Sequence, residues 1–263
     1  MAISRRKTVV RSTEDIHCCK HAVRWDKMSM GSDELDCPHY YKEKNMRLSR
    51  SAVAFASSLV ALALSLYTGL YAQAGSSPTV GRIAPIFSQL VYFQAPANFV
   101  SVFENTHGDR YIHEWVLPGE SVSNWTQMLT VTGAQDVSAK HPDATPKSFA
   151  SGIAGGFQRA CPSSFAAKGI YEGQLNARDA FIMVVSCGNA AASAGHSETA
   201  AIAVVKGEKD FYTLQWSQRG DATPTPMDID VNIWAGRMKG LMPLKLCPIV
   251  PGEQPPYPSC VGH

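Results

Sequence analysis

His107, Asp109, His113 and Glu114 lie close together and are the residue types that hold metals or move protons. Their spacing limits what they can do. If Phe99 to Glu104 and Arg110 to Leu117 form a hairpin, His107 and Asp109 occupy its tip. His113 and Glu114 then face opposite ways, because strand side chains alternate. One metal cannot collect all four, so a site would need His107, Asp109 and a distant loop residue such as His196. Gly195-His196-Ser197-Glu198-Thr199 resembles the Gly-x-Ser-x-Gly nucleophile elbow until Thr199, which stands where the sharp turn needs glycine. Gly152-Ile153-Ala154-Gly155-Gly156 neither follows a strand nor opens a helix, so phosphate cradling is not expected there. Trp115, Trp125, Tyr212 and Trp216 offer large amphipathic contact area and form the candidate binding surface. No catalytic residue is assigned, and no cofactor is expected.

The cysteines suggest a compartment. Cys161, Cys187, Cys247 and Cys260 all follow an apolar segment, and an even number after an export signal favours disulfides. Of the three pairings open to them, Cys161 with Cys187 and Cys247 with Cys260 is favoured, because the second pair closes a short Pro-rich loop. The earlier group of His17, Cys18, Cys19, His21, Cys37 and His39 lacks the knuckle spacing of structural zinc sites.

The apolar segment divides the chain. Met46-Arg47-Leu48-Ser49-Arg50 is a basic start, Ser51 to Tyr71 is uncharged, and Ala72-Gln73-Ala74 before Gly75 is a small-x-small cleavage site. Residues 46–74 therefore read as a bacterial signal peptide. They are also about as long as the roughly 20 residues that cross a bilayer, so the alternative is an anchor in the inner membrane with the C-terminal domain outside. Residues 1–45 read as a disordered extension or an untranslated upstream stretch. The charges split at the same place: residues 1–50 carry 11 Lys/Arg against 7 Asp/Glu, and the rest carry 13 against 15. Without clustered basic residues in the exported part, no nucleic-acid partner is expected.

Beyond Ala74, residues 75–85 read as a linker, 86–240 as the folded domain and 241–263 as an extended Pro-rich tail held by its disulfide. Three β-rich runs separated by turns, Leu90 to Phe93, Phe99 to Glu104 and Arg110 to Leu117, predict an antiparallel meander. Glu120 to Trp125 reads as a turn of helix before a strand at Met128 to Thr132. Phe149, Ile153 and Phe157 mark one face of a helix that Cys161-Pro162 ends. Strands follow at Gly169 to Leu175 and Ala180 to Cys187, then a hairpin of Ala200 to Lys206 and Asp210 to Trp216, then a helix carrying Ile229, Ile233, Trp234 and Met238. This order predicts an α+β domain with helices packed on an antiparallel sheet.

The element order, the Glu120 to Met128 segment entering a strand, the Cys-containing strand Ile182 to Cys187 and the closing hairpin and helix resemble uncharacterised exported proteobacterial proteins. More distantly they resemble the Mog1/PsbP-like fold, over roughly Leu90 to Met238. Members of that fold class mostly act as binding or assembly factors, so the resemblance implies a non-enzymatic domain and carries over no catalytic residues. The expected function is an exported or membrane-anchored envelope domain, periplasmic or secreted, that binds a protein or a small ligand. The alternative is a periplasmic hydrolase or metal-dependent enzyme using His107, Asp109, His113 or His196.

Overall fold

Two central strands read apolar on both faces, because both faces are covered. They are β7 (Arg178–Ala190) and β8 (His196–Lys206), buried almost throughout. The computed structural model describes residues 78–190 and 195–262; the expectations for residues 1–45 and for the 46–74 signal or anchor lie outside them. The other strands are β1 (Thr79–Ile86), β2 (Gln89–Pro96), β3 (Val100–His107), β4 (Arg110–Val116), β5 (Gln127–Ala134), β6 (Phe165–Leu175), β9 (Phe211–Gly220) and β10 (Lys245–Pro248). The helices are α1 (Val137–Lys140), α2 (Pro146–Ala160), α3 (Val231–Gly240) and α4 (Pro258–Val261). All pairings are antiparallel, in a seven-stranded sheet ordered β3-β4-β5-β9-β8-β7-β6 and a three-stranded sheet ordered β1-β2-β10. The domain is α+β.

One face of the large sheet packs Tyr111, Trp115, Leu129, Ile182, Ala203 and Leu214 against Val91, Phe93 and Ala95 of β2 and against Trp234 and Met238 of α3. The other face packs Met183, Val185, Ile202 and Phe211 against Ala150 and Ile153 of α2, with Phe149 stacked on Phe211 at 4.8 Å. Helix α2 starts where its sequence says it should. Thr145 caps it by accepting from Ser148 N, Ser148 returns the contact to the cap, and Pro146 fills the first turn, where a missing N–H costs nothing. Asp230 caps α3 in the same way, accepting from Asn232 N and Ile233 N.

Four expectations change. Residues 75–85 are not a plain linker, since β1 begins at Thr79. Its Gly81 and Pro85 resemble breakers, but β1 is an edge strand, where both are tolerated. A side chain at Gly81 would also press on the Tyr92 ring, since an added Cβ would lie 2.9 Å from its hydroxyl. Leu90 to Phe93 does not join the meander; as part of β2 it belongs to the small sheet. The tail after residue 240 is not simply extended, because β10 pairs with β2 and α4 follows. Glu120 to Trp125 forms no helix. Glu120 there accepts from Thr126 N and Oγ1, and Ser121 and Asn124 exchange backbone hydrogen bonds.

Cysteine pairing reinforces the thin parts of this architecture. Cys161 at the end of α2 bonds Cys187 of β7, fastening the helix to its sheet, and Cys247 of β10 bonds Cys260 of α4. The second bridge lies in a small cluster with Leu90 and Tyr92 on the outer face of the small sheet, where there is little other apolar surface to bury. A buried carboxylate ties three turns together. Asp210, between β8 and β9, accepts from Ser88 N at 3.0 Å, Ser88 Oγ at 2.5 Å and Asp136 N at 2.7 Å. The Tyr212 hydroxyl lies 2.9 Å from the same carboxylate.

Candidate functional site

Strand β3 is an edge of the large sheet and is exposed along nearly all its length. It pairs with β4 residue for residue except between Ser101 and Phe103, where the register shifts by a bulge. The bulge has a chemical consequence. Ser101 and Glu104 are three residues apart and would alternate to opposite faces of a regular strand. The extra residue, Val102, instead sets Ser101 opposite Trp115 and Glu104 opposite His113, and those two β4 residues share a face.

On that face a polar relay forms. Ser101 Oγ lies 2.8 Å from His113 Nε2, and the Tyr111 hydroxyl lies 3.3 Å from His113 Nδ1. Tyr111 donates to Glu104 Oε1 at 2.7 Å, and Glu104 Oε2 is 3.7 Å from His113 Nδ1. The Tyr111 proton is committed to Glu104, so only acceptors face Nδ1. With its proton on Nδ1, beside these acceptors, the imidazole leaves Nε2 free to accept from the Ser101 hydroxyl. The ring is held flat against Trp115, with centroids 3.6 Å apart. Burial lowers the His113 pKa; Glu104 opposes that shift and Arg82 adds to it, which favours the uncharged imidazole. Arg82 is fixed by donating Nη2 to Phe99 O at 2.7 Å, and its guanidinium lies over the Trp115 ring.

The opposite face of β4 carries Glu114, which is 3% exposed. Burial pushes its pKa up to about 7, with Glu198 adding to the rise and Arg219 opposing it. Arg219 lies 3.9 Å over the Trp125 ring. A separate hollow of about 300 Å³ lies beside the start of α2, lined by Lys147, Glu172, Asp179, Phe181 and Lys206 among others. Lys147 is engaged there with Glu172 at 3.0 Å, and Lys206 with Pro142 O.

The residues singled out from sequence are scattered. His107 and Asp109 are at the β3–β4 tip, where Asp109 pairs with Arg110 at 3.4 Å. The register chain from Arg110 through Ala134 and Phe211 reaches Lys206, at the far end of β8 from His196. His196 is therefore roughly 30 Å along the strands and three strands across from β4 at the tip, so these three residues cannot share a metal. Among the described residues, no group of three His, Cys, Asp or Glu side chains is placed to hold a metal. Ser197 lies in β8, with no elbow around it. The aromatic surface also dissolves. Trp115, Trp125 and Tyr212 are buried, and Trp216 is half-buried, donating to Gln127 at 3.0 Å, so these residues build the core. Ser101, Glu104, Tyr111 and Arg82 were not singled out, because only the bulge and the β1 approach bring them to His113.

No protein-family model matches this chain, and no curated protein does. Among solved structures it is similar to the Saccharomyces cerevisiae Ran-binding protein Mog1p at 7% identity and a TM-score of 0.35, covering 54% of this chain and 79% of that one. A mutant form of Mog1 gives the same identity and TM-score, covering 60% of this chain and 84% of the other. Similarity at that level carries no argument about what this chain binds.

Proposed function

We propose that the chain works outside the cytoplasm, as an exported or membrane-anchored domain that binds a polypeptide by adding it as a strand to β3. The observation that carries this reading is the free β3 edge. From Phe103 to His107 it pairs regularly with β4, contains no proline or glycine, and among the described residues no strand pairs with its outer side. Edges of this kind are templates for strand addition unless they are blunted. The other edges are blunted. Strand β6 carries Lys168 and two glycines; β1 carries Arg82 and Pro85; β10 has four residues and ends in Pro248. Exposed Val100 and Phe103 share one face of β3 and suit a segment with apolar residues at alternate positions. The two disulfides suit an oxidising compartment, as does the leader-like segment before Gly75. A Mog1/PsbP-like arrangement belongs to the same proposal and rests on the order of strands and helices along the chain.

The test uses a photo-crosslinking residue at Phe103 in the cell envelope, with one at Tyr171 on the β6 edge as control. A partner captured only from Phe103 is then purified with the chain, and amide hydrogen exchange is followed. Slowed exchange across β3 with β6 unchanged supports strand addition. Unchanged β3 exchange in the complex sinks it.

A further inference from the structure

We propose that Ser101 is the nucleophile of an acyl-transfer site on the β3–β4 hairpin, with His113 as its general base and carboxylic esters as its substrate class. This goes beyond polypeptide binding and departs from the expectation of a non-enzymatic domain. It stands on the relay geometry and not on the free edge. The 2.8 Å contact between Ser101 Oγ and His113 Nε2 is the reach a base needs to take a hydroxyl proton. The third member of such a set orients the base, and here the Tyr111 hydroxyl and Glu104 carboxylate lie on the Nδ1 side, favouring the Nδ1–H form, while Trp115 stacks on the ring. These three are positioning residues. Ser101 is exposed, so an ester reaches it from solvent.

In the reaction, Ser101 Oγ forms a bond to the ester carbonyl carbon while its proton passes to His113 Nε2. The adduct collapses as the bond to the alcohol oxygen breaks, and His113 returns the proton to the departing alkoxide. Water then attacks the acyl-serine, giving its proton to Nε2; the acyl–oxygen bond to Ser101 breaks, and the proton returns to Oγ. The sum is ester plus water giving acid plus alcohol, with no redox change.

The full-length chain in detergent micelles is treated with a fluorophosphonate probe, which phosphonylates Ser101 with loss of fluoride, and is assayed with p-nitrophenyl acetate. The expected label is on Ser101 by peptide mass spectrometry. Ser101→Ala and His113→Gln should each lower ester turnover by at least about a hundredfold, the scale of lost nucleophilic or base catalysis, with circular dichroism unchanged. Glu104→Gln should move the ascending limb of the pH profile toward acid, because the carboxylate that holds the His113 pKa up is gone. A purely structural role for Glu104 would leave that limb in place. Labelling absent or elsewhere on folded protein overturns the proposal. So does turnover that survives Ser101→Ala but not His113→Gln, which would mean direct attack by the imidazole. Protection of β3 by a partner is read independently, so the two readings fail separately.

Discussion

Replacing Asp210 with alanine tests whether one buried carboxylate holds the turn between β1 and β2, the start of α1 and the β8–β9 hairpin in register. Asp210 is 1% exposed, and two of its donors, Ser88 N and Asp136 N, are backbone groups that no side-chain movement can turn away. Each buried N–H left without an acceptor costs about 1–3 kcal/mol, and the Ser88 and Tyr212 hydroxyls lose a charged acceptor as well. The expected loss is about 3–5 kcal/mol, which lowers the melting temperature of a domain this size by about 10 °C. Equilibrium urea unfolding with an unchanged m-value is the assay. The pH dependence supplies a second reading. Burial alone raises the Asp210 pKa, but hydrogen bonds from Ser88, Asp136 N and Tyr212 outweigh it and hold the net value below the usual one. The folded state therefore releases this proton more readily than the unfolded state. The stabilisation is complete above the unfolded value of about 4 and fades as pH falls through the lower folded value. Asp210→Asn should lose that acid limb. A loss below about 1 kcal/mol for Asp210→Ala, where the two orphaned amides alone should cost more, would refute the reasoning.

Further predictions concern other parts of the fold. Glu114, with its pKa raised to about 7, keeps a proton that the unfolded chain loses near pH 4, so stability should fall as pH rises between those values and then level. Glu114→Gln should abolish that slope and raise stability at pH 8 by about 1–3 kcal/mol; parallel thermal melts of both proteins across pH would contradict this. Replacing Cys161 and Cys187 together by serine should cost about 2–4 kcal/mol, and reductant should then weaken the variant less than the wild type, read by urea unfolding with and without dithiothreitol. Ala177 adopts φ 63° in the two-residue turn between β6 and β7, where glycine sits without a Cβ clash, so Ala177→Gly should stabilise by about 0.5 kcal/mol. A destabilised Ala177→Gly protein would show that the turn carries no strain. N-terminal sequencing of the cell-associated chain should return Gly75; Met1 or Ala2 would refute cleavage after Ala74.

Local signals were legible wherever the physics is local. The Phe149, Ile153 and Phe157 face of α2, the hairpin joining Lys206 to Phe211 and the apolar runs of β7 and β8 are written in short stretches, because periodicity, turns and alternation depend on near neighbours. Strand β1 was not legible, since Gly81 and Pro85 weaken its pattern and only the Tyr92 ring and an edge position explain them. The aromatic residues misled for a related reason. A tryptophan looks alike in sequence whether it faces solvent or core, and the layer above Trp115 comes from β2, at a different place in the chain.

By itself, the sequence determined the α+β class, the type of the strongly patterned elements from β3 to α3 and the chemistry available on β4, because these follow from residue type and short-range period. The Cys161–Cys187 and Cys247–Cys260 pairing favoured from the sequence is the one formed, whereas the tertiary structure decided which distant strands pair and which side chains assemble around His113. The bulge at Val102 is the clearest case. It inverts the facing of every β3 residue on one side of it relative to the other, so Ser101 and Glu104 meet the same imidazole although alternation assigns them to opposite faces. No local residue preference signals that shift, because it is set by the register that β4 imposes on its neighbour.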